Sequence, residues 1–248
     1  MKQFSRNLLT FGKEGQDLLL SKTVLVLGLG GVGSYSVEAL VRTGIGRLII
    51  IDKDVVDITN VNRQIHATLD TVGQSKCDLM EERIKSINPQ CEVIKYKTFF
   101  DFDTYEEILN QPIDFVIDAS DTITYKILLI KECLKRKIPF ISVMGAANKL
   151  DPSQFEIADI NHTTYDPIAK VIRLKLRKER IKGKVPVVYS KERPTKSKYH
   201  EYDLEAAGNT RKAVYPPAST SFVPPVAGFI AASYCVRELT KNIVIERN

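Results

Sequence analysis

The sequence predicts a doubly wound α/β domain built on a mainly parallel sheet. Three observations carry this. Apolar, β-branched runs recur along the chain, segments of helical periodicity alternate with them, and the first run ends in a glycine-rich turn. With 248 residues, 44% hydrophobic and 27% charged, the chain has the composition of a globular protein with a substantial core.

Thr23–Leu27, T-V-L-V-L, is a continuous apolar run bounded by Gly28, as expected of a strand covered on both faces. A helix follows, with Val37, Leu40 and Val41 at helical spacing, and Gly44 and Gly46 end it before a second strand at 48–51. The alternation predicts a helix over 75–87 stopped by Asn88-Pro89, a strand over 92–97, and a short helix over 104–109. It continues with a strand at Phe115–Asp118, a helix over 125–136, and a strand at Phe140–Val143. Beyond Lys149 the pattern loosens. A strand is expected over 155–160, and Asp166-Pro167 reads as the cap and first turn of a basic helix reaching about residue 180. A last strand is expected over 185–189, then a polar arm or loop over 191–215. Pro224-Pro225 opens a final helix over 226–239, whose small apolar residues suit the core or a dimer interface. This divides the chain into a nucleotide-binding domain over 1–160 and an extension over 161–248 that ends in a packing helix.

Bulk properties exclude several classes. The first nine residues carry charge and lack a long apolar core, and the apolar stretch 223–236 is shorter than the roughly 20 residues of a membrane span. A cytoplasmic protein without a membrane anchor is expected. Cys77, Cys91, Cys133 and Cys235 form no C-x-x-C pair, which removes support for a thiolate zinc site and favours core thiols. The net charge of +6 is concentrated: residues 170–198 hold twelve Lys and Arg against two Glu, leaving −4 for the rest. Such a block suggests a polyanionic partner.

Gly28-Leu29-Gly30-Gly31-Val32-Gly33 satisfies G-x-G-x-x-G directly after a strand and before a helix, where backbone amides and the helix N-terminus approach phosphate oxygens. Asp52 ends the second strand 19 residues after Gly33, near the spacing at which an acid meets ribose hydroxyls. The fold class is therefore Rossmann-like. NAD and ATP both fit such a unit, and downstream residues favour ATP. A pyrophosphate on a helix N-terminus needs no additional Arg and Lys. A triphosphate attacked at its α-phosphorus does, because charge builds on equatorial and leaving oxygens. Arg63 and Lys76 meet that need. Asp118 and Asp121, three apart at a strand end, could hold Mg2+ across phosphates, while Asp121 alone could cap the following helix.

The array of Gly28, Gly30, Gly31, Gly33, Asp52, Asp54, Asn60, Arg63, Gln64, Lys76 and Asp121 resembles the superfamily of ubiquitin-activating enzymes and their bacterial relatives in thiamine and molybdopterin synthesis. That resemblance implies Asp52 on the ribose, Asn60, Arg63, Gln64 and Lys76 on the phosphates, and Asp121 on Mg2+. It also implies that Arg6 reaches the ATP of a neighbouring subunit, hence a homodimer. Along nearly its whole length the chain is similar to the tRNA threonylcarbamoyladenosine dehydratases. The likeness lies in G-L-G-G-V-G-S-Y-S-V-E-A-L-V-R-T-G-I-G from residue 28, D-K-D-V-V-D-I-T-N-V-N-R-Q from residue 52, T-V-G-Q-S-K ending at Lys76, M-G-A-A-N-K ending at Lys149, L-R-K-E-R-I from Leu176 and S-F-V-P-P-V-A-G from Ser221.

This second resemblance implies adenylation by ATP of the carboxylate of threonylcarbamoyladenosine beside the anticodon, then ring closure by a nucleophile of the same modified base. No enzyme thiol is required, since the substrate carries both reactive groups. On this reading the basic block, Lys170, Arg173, Lys175, Arg177, Lys178, Arg180, Lys182 and Lys184, meets tRNA phosphates, with Tyr189 and Tyr199 as candidate stacking platforms. A sulfur-transfer protein is a further candidate partner. The rival readings make separable predictions: an NAD-dependent oxidoreductase binds reduced nicotinamide, a sulfur-carrier adenylyltransferase exchanges pyrophosphate when given a small Gly-Gly-tailed protein, and a nucleotide sensor or RNA scaffold binds without turnover.

Overall fold

The structure is a computed structural model that describes residues 2–195 and 217–245. Strand β1 (Thr23–Leu27) sits at the centre of a sheet ordered β3-β2-β1-β4-β5-β7-β6, with β2 (Arg47–Ile51), β3 (Glu92–Tyr96), β4 (Phe115–Asp118), β5 (Phe140–Val143), β6 (Phe155–Asp159) and β7 (Pro186–Ser190). Neighbours pair in parallel except β6, which runs antiparallel to β7 at one edge.

The period-2 alternation of strand side chains divides the core in two. Val24 and Val26 of β1 face a cluster closed by α2 (Gly33–Thr43), α3 (Lys76–Ile87) and α7 (Val223–Leu239), with Leu19 of α1 (Ser5–Leu20). Leu25 and Leu27 face the opposite cluster, closed by α4 (Tyr105–Leu109), α5 (Ile123–Arg136) and α6 (Pro167–Lys178). The all-apolar run of β1 is therefore buried on both sides, as predicted. From β1 the chain winds outward through β2 and β3, then crosses to β4 and β5 on the other side. That reversal opens a crevice outside the carboxyl ends of the central strands, the place where such sheets bind ligands.

The expected elements are present with ends shifted by up to three residues. Helix α1 was not expected. Its Gly12, at a φ of 65°, interrupts the helix and the apolar spacing that would have announced it. The helix is held by side chains that reach the end of α2: Asn7 Nδ2 donates to the Arg42 carbonyl (2.9 Å) and Gln16 Nε2 to that of Thr43 (3.1 Å), carbonyls that lack intrahelical partners. The sheet also runs across residue 160, because β7 lies between β5 and β6. Helix α7 belongs to the core. A Cβ on its Gly228 would lie 2.3 Å from the Val32 carbonyl oxygen, and Ser36 Oγ donates to the Gly228 carbonyl (3.0 Å), so the α7 backbone rests directly on α2.

Candidate nucleotide site

The turn between β1 and α2 is shaped by glycines with different tasks. Gly28 has a φ of +87°, and a Cβ there would meet the Ala119 carbonyl oxygen at 2.9 Å. Gly30 has open space where a side chain would be, and Gly31 lies against Arg63 and Pro224. These three line a cleft of about 920 Å³. Gly33 corrects the expectation of a nucleotide contact. A Cβ on it would fall 1.7 Å from the Gly28 carbonyl oxygen, so this glycine lets helix and turn pack together and does not line the cleft. Helix α2 starts with no side-chain cap, leaving the positive end of its dipole to the cleft.

Asp52, Asp54, Asn60, Arg63, Gln64 and Lys76 all line the same cleft. Asp52 accepts the Leu29 amide at 2.7 Å through Oδ2 and the Asp54 amide at 2.8 Å through Oδ1. Each oxygen keeps a lone pair for a ribose hydroxyl. Burial raises the Asp52 carboxyl above its ordinary range, against the pull of Lys76 and those two amides. Asp54 pairs with Lys53 (2.7 Å) and Lys76 (3.4 Å). Burial pushes its carboxyl up, but the bond from Lys53 and the charge of Lys76 outweigh that and hold it low. Asn60 and Asp57 form a reciprocal capping box that fixes the short 3-10 turn Ile58–Asn60. Arg63 then folds back, its Nη1 donating to the Thr59 carbonyl (2.8 Å) and Asn62 Oδ1 (2.9 Å). Gln64 Oε1 is buried without a partner.

Asp118 requires a second correction. Expected at the nucleotide, it is fully buried and its lone pairs are used internally. Oδ1 accepts the Ser120 amide (3.1 Å) and hydroxyl (2.7 Å), while Oδ2 accepts Lys126 Nζ (3.0 Å) and the Ser142 hydroxyl (2.6 Å). Asp118 thus fixes the turn that carries Asp121 to the cleft. Asp121 is exposed there, and it does not cap α5, whose N-cap is Thr122. Among the described residues no group of three or more His, Cys, Asp or Glu is placed to hold a metal ion. Arg6 is exposed on α1 and does not line this cleft within its own chain.

Several cleft residues escaped the sequence. Lys126 is 1% exposed beneath the Asp121 turn. Its signal was a lysine on an otherwise apolar helix face, in the first turn of the helix that follows a strand-end acid. Phe99 reaches the cleft beneath the Lys53 ammonium, 4.6 Å from its ring centroid. Lys149 and Asp166 form part of the far wall, past β5. All four cysteines are buried, and burial pushes the Cys77 thiol up to about 12 and that of Cys91 up to about 11, with Cys133 and Cys235 also raised. Serine at each of the four positions is expected to preserve turnover in proteins that remain folded; loss of turnover in one such folded variant would require a thiol intermediate.

The basic block presents an exposed face. Ala169, Ile172 and Leu176 turn α6 toward the core, leaving Lys170, Lys175, Arg177 and Lys178 outward, with Arg180, Lys182 and Lys184 exposed after it. Arg173 is the exception. Its Nη1 donates to the Ile160 carbonyl (2.9 Å) and Thr163 Oγ1 (2.7 Å), so it braces the segment before α6 and is removed from the phosphate-facing set. Tyr189 is also corrected, being buried in β7 with its hydroxyl donating to Glu156. Tyr199 lies outside the described residues. No helix among the described residues is long and apolar enough to cross a membrane.

A glycine turn at the switch point, a ribose-spaced acid, and Arg63, Lys76 and Asp121 around one cleft define a Rossmann-type nucleotide-binding protein equipped to handle phosphates. More specifically, a model of the ThiF family matches residues 4–245, and the chain belongs to that family. It is 57% identical over 251 residues to tRNA threonylcarbamoyladenosine dehydratase of Bacillus subtilis (strain 168), covering 100% of this chain and 98% of that protein. It is 37% identical to the enzyme of the same name from Escherichia coli (strain K12), over 83% of this chain and 72% of that one. Among solved structures, E. coli tRNA N6-threonylcarbamoyladenosine dehydratase, TcdA, in complex with ATP superposes with a TM-score of 0.86 at 33% identity, covering 97% of this chain and 95% of that one.

Proposed function

We propose that this protein uses ATP to adenylate the carboxylate of threonylcarbamoyladenosine in tRNA, after which a nucleophile of the same modified base closes a ring with net loss of water. The observation that carries this reading is the single cleft that joins the glycine turn to Arg63, Lys76 and Asp121, in a chain similar over its full length to dehydratases of that name. Asp52 holds the ribose. The turn amides and the start of α2 take phosphate oxygens, and Arg63 and Lys76 stabilise charge that grows as the α-phosphorus is attacked. Lys76, only 6% exposed, is held beside Asp54 at the first position of α3, so its ammonium is positioned before substrate arrives. Asp121 fits Mg2+, which needs one or two protein carboxylates and takes its remaining ligands from water and phosphate. The bound ion would neutralise phosphate charge. Arg6, exposed and absent from the lining of its own cleft, is available to a neighbouring subunit's nucleotide in a homodimer. The cytoplasm, where tRNA resides, is the compartment.

The direct test is incubation with ATP, Mg2+ and tRNA bearing threonylcarbamoyladenosine, followed by nucleoside mass spectrometry. Loss of one water from that nucleoside is expected, and an unaltered nucleoside would overturn the reading.

The exposed cations on and after α6 provide the tRNA backbone surface. Changing Arg177, Lys178 and Arg180 together to alanine is expected to weaken tRNA binding and to flatten its log-log salt slope by roughly 0.7 to 0.9 for each phosphate no longer neutralised, with ATP affinity unchanged. Titrations across a salt series check this. An unaltered slope would mean that this face is merely solvated.

A further inference from the structure

An aromatic ring stands in solvent where the chain enters the far wall of the cleft. Tyr165 is 58% exposed, although Thr163 before it and Asp166 after it are buried. Its φ of 57° lies in the left-handed region, which a bulky aromatic residue rarely occupies. Asp166 secures that turn, its Oδ1 accepting the Ala169 amide at 2.9 Å as Pro167 opens α6. A tyrosine held in a disfavoured conformation with its ring outside the core does not owe its place to core packing. The ring is nevertheless fixed. The Arg193 guanidinium carbon lies 4.7 Å from its centroid, a cation–π contact on one face, and Arg193 is itself exposed. Neither residue lines the cleft, but their chain neighbours do: Asp166, Pro167 and Ile168 beside Tyr165, and Pro194 beside Arg193. Two segments distant in sequence thus bring the pair to the rim of the cleft. Lys170, on the exposed cationic face of α6, donates its amide to the Asp166 carbonyl at 3.1 Å. Ring, cleft and basic face therefore meet within one helical turn.

We propose that Tyr165, backed by Arg193, is a stacking platform for a nucleobase that flanks the modified adenosine in tRNA. The inference rests on the tRNA-directed reading above. The modified adenosine lies in an unpaired loop, and to bring its carboxylate to a nucleotide in the cleft it leaves the stack of its neighbours. A flanking base then loses a stacking partner at the cleft rim, and an aromatic face replaces it. The face of Tyr165 turned away from Arg193 supplies that surface. Stacking on it reads no base edge, so the platform tolerates different neighbours of the modified adenosine.

The test is binding of anticodon stem-loop RNA bearing threonylcarbamoyladenosine to the full-length protein. Tyr165→Ala is expected to weaken binding about tenfold, within the range of base–aromatic stacking, while Tyr165→Phe, which keeps the ring, stays within about twofold of the parent. The log-log salt slope should keep its parent value in Tyr165→Ala, because stacking neutralises no phosphate, and ATP affinity should be unchanged. An abasic nucleotide on one flank of the modified adenosine should weaken binding to the parent protein and add little to the loss in Tyr165→Ala, a coupling read from the protein–RNA cycle. Tyr165→Asn, which tolerates the left-handed backbone, replaces the alanine variant if that one does not fold. Parent affinity in a folded variant lacking the ring overturns the proposal, as do losses that add for abasic nucleotides on both flanks. A slope flattened by roughly 0.7 to 0.9 also overturns it, since Tyr165 would then act only by holding Arg193 on a phosphate. Failure of the parent protein to dehydrate the modified nucleoside with ATP and Mg2+ would instead overturn the proposed function, and this inference with it.

Discussion

Arg63→Ala and Asp121→Ala are each expected to slow dehydration of threonylcarbamoyladenosine in tRNA by on the order of 10³-fold or more, the scale seen when charge stabilisation of phosphoryl chemistry is removed. On the proposed mechanism both side chains would act on charge that develops mainly in the transition state, so turnover should suffer more than ATP affinity. Neither substitution threatens the fold. Among the described residues the Arg63 side chain hydrogen-bonds only to its own turn, through the Thr59 carbonyl and Asn62, and exposed Asp121 has a single 3.3 Å hydrogen bond, from the Thr122 hydroxyl. The measurement is the single-turnover rate by nucleoside mass spectrometry, beside nucleotide affinity and thermal unfolding. Folded variants that dehydrate at the parent rate would remove both residues from the mechanism.

The largest stability effect is expected beneath that turn. Lys126→Met leaves Asp118 buried without its cation and should cost about 3–5 kcal/mol, the usual penalty for halving a buried ion pair. The pair is 3.0 Å apart and almost wholly shielded from solvent, so water cannot take the place of the ammonium. Adding Asp118→Asn to Lys126→Met removes the stranded charge and should recover a large part of the loss. Chemical denaturation of the two single variants and the double variant tests this as a cycle. Additive losses would show that the two side chains are not coupled.

The elements that form where the sequence places them, and the candidate residues that meet in one cleft, share a physical property: their placement follows from neighbours in the chain. The strands β4 and β5 and the capped helices α3 and α6 announce themselves through apolar runs, Ser75 and Asp166. Gly28, Gly30, Asp52, Lys76 and Asp121 converge because each follows a strand or opens a helix at the carboxyl ends of the central strands, and Arg63 joins them from the turn after Ile58–Asn60. Asp118 shows where such reasoning stops. One residue decides whether a strand-end side chain points to the cleft or into the sheet, and the partners that claim Asp118 come from α5 and β5. Arg173 lies in a run of cations with nothing in its local sequence to separate it from Arg177. Only the docking of α6 beside Ile160 and Thr163 does so. Helix α1 escaped because its stability comes from bonding to the distant end of α2.

The winding of the chain in both directions from β1 has an evolutionary consequence. The cleft draws residues from 28–76 on one side and from 144–149 and 166–168 on the other, and the segment 217–219 bonds to both, Ser219 to Asn62 and Ala218 to Asn148. These stretches meet across the crevice and are separated in sequence, so mutations can accumulate in one while selection holds the other fixed. A lineage could thereby keep an ancestral way of activating a carboxylate and explore new molecules to receive the activation.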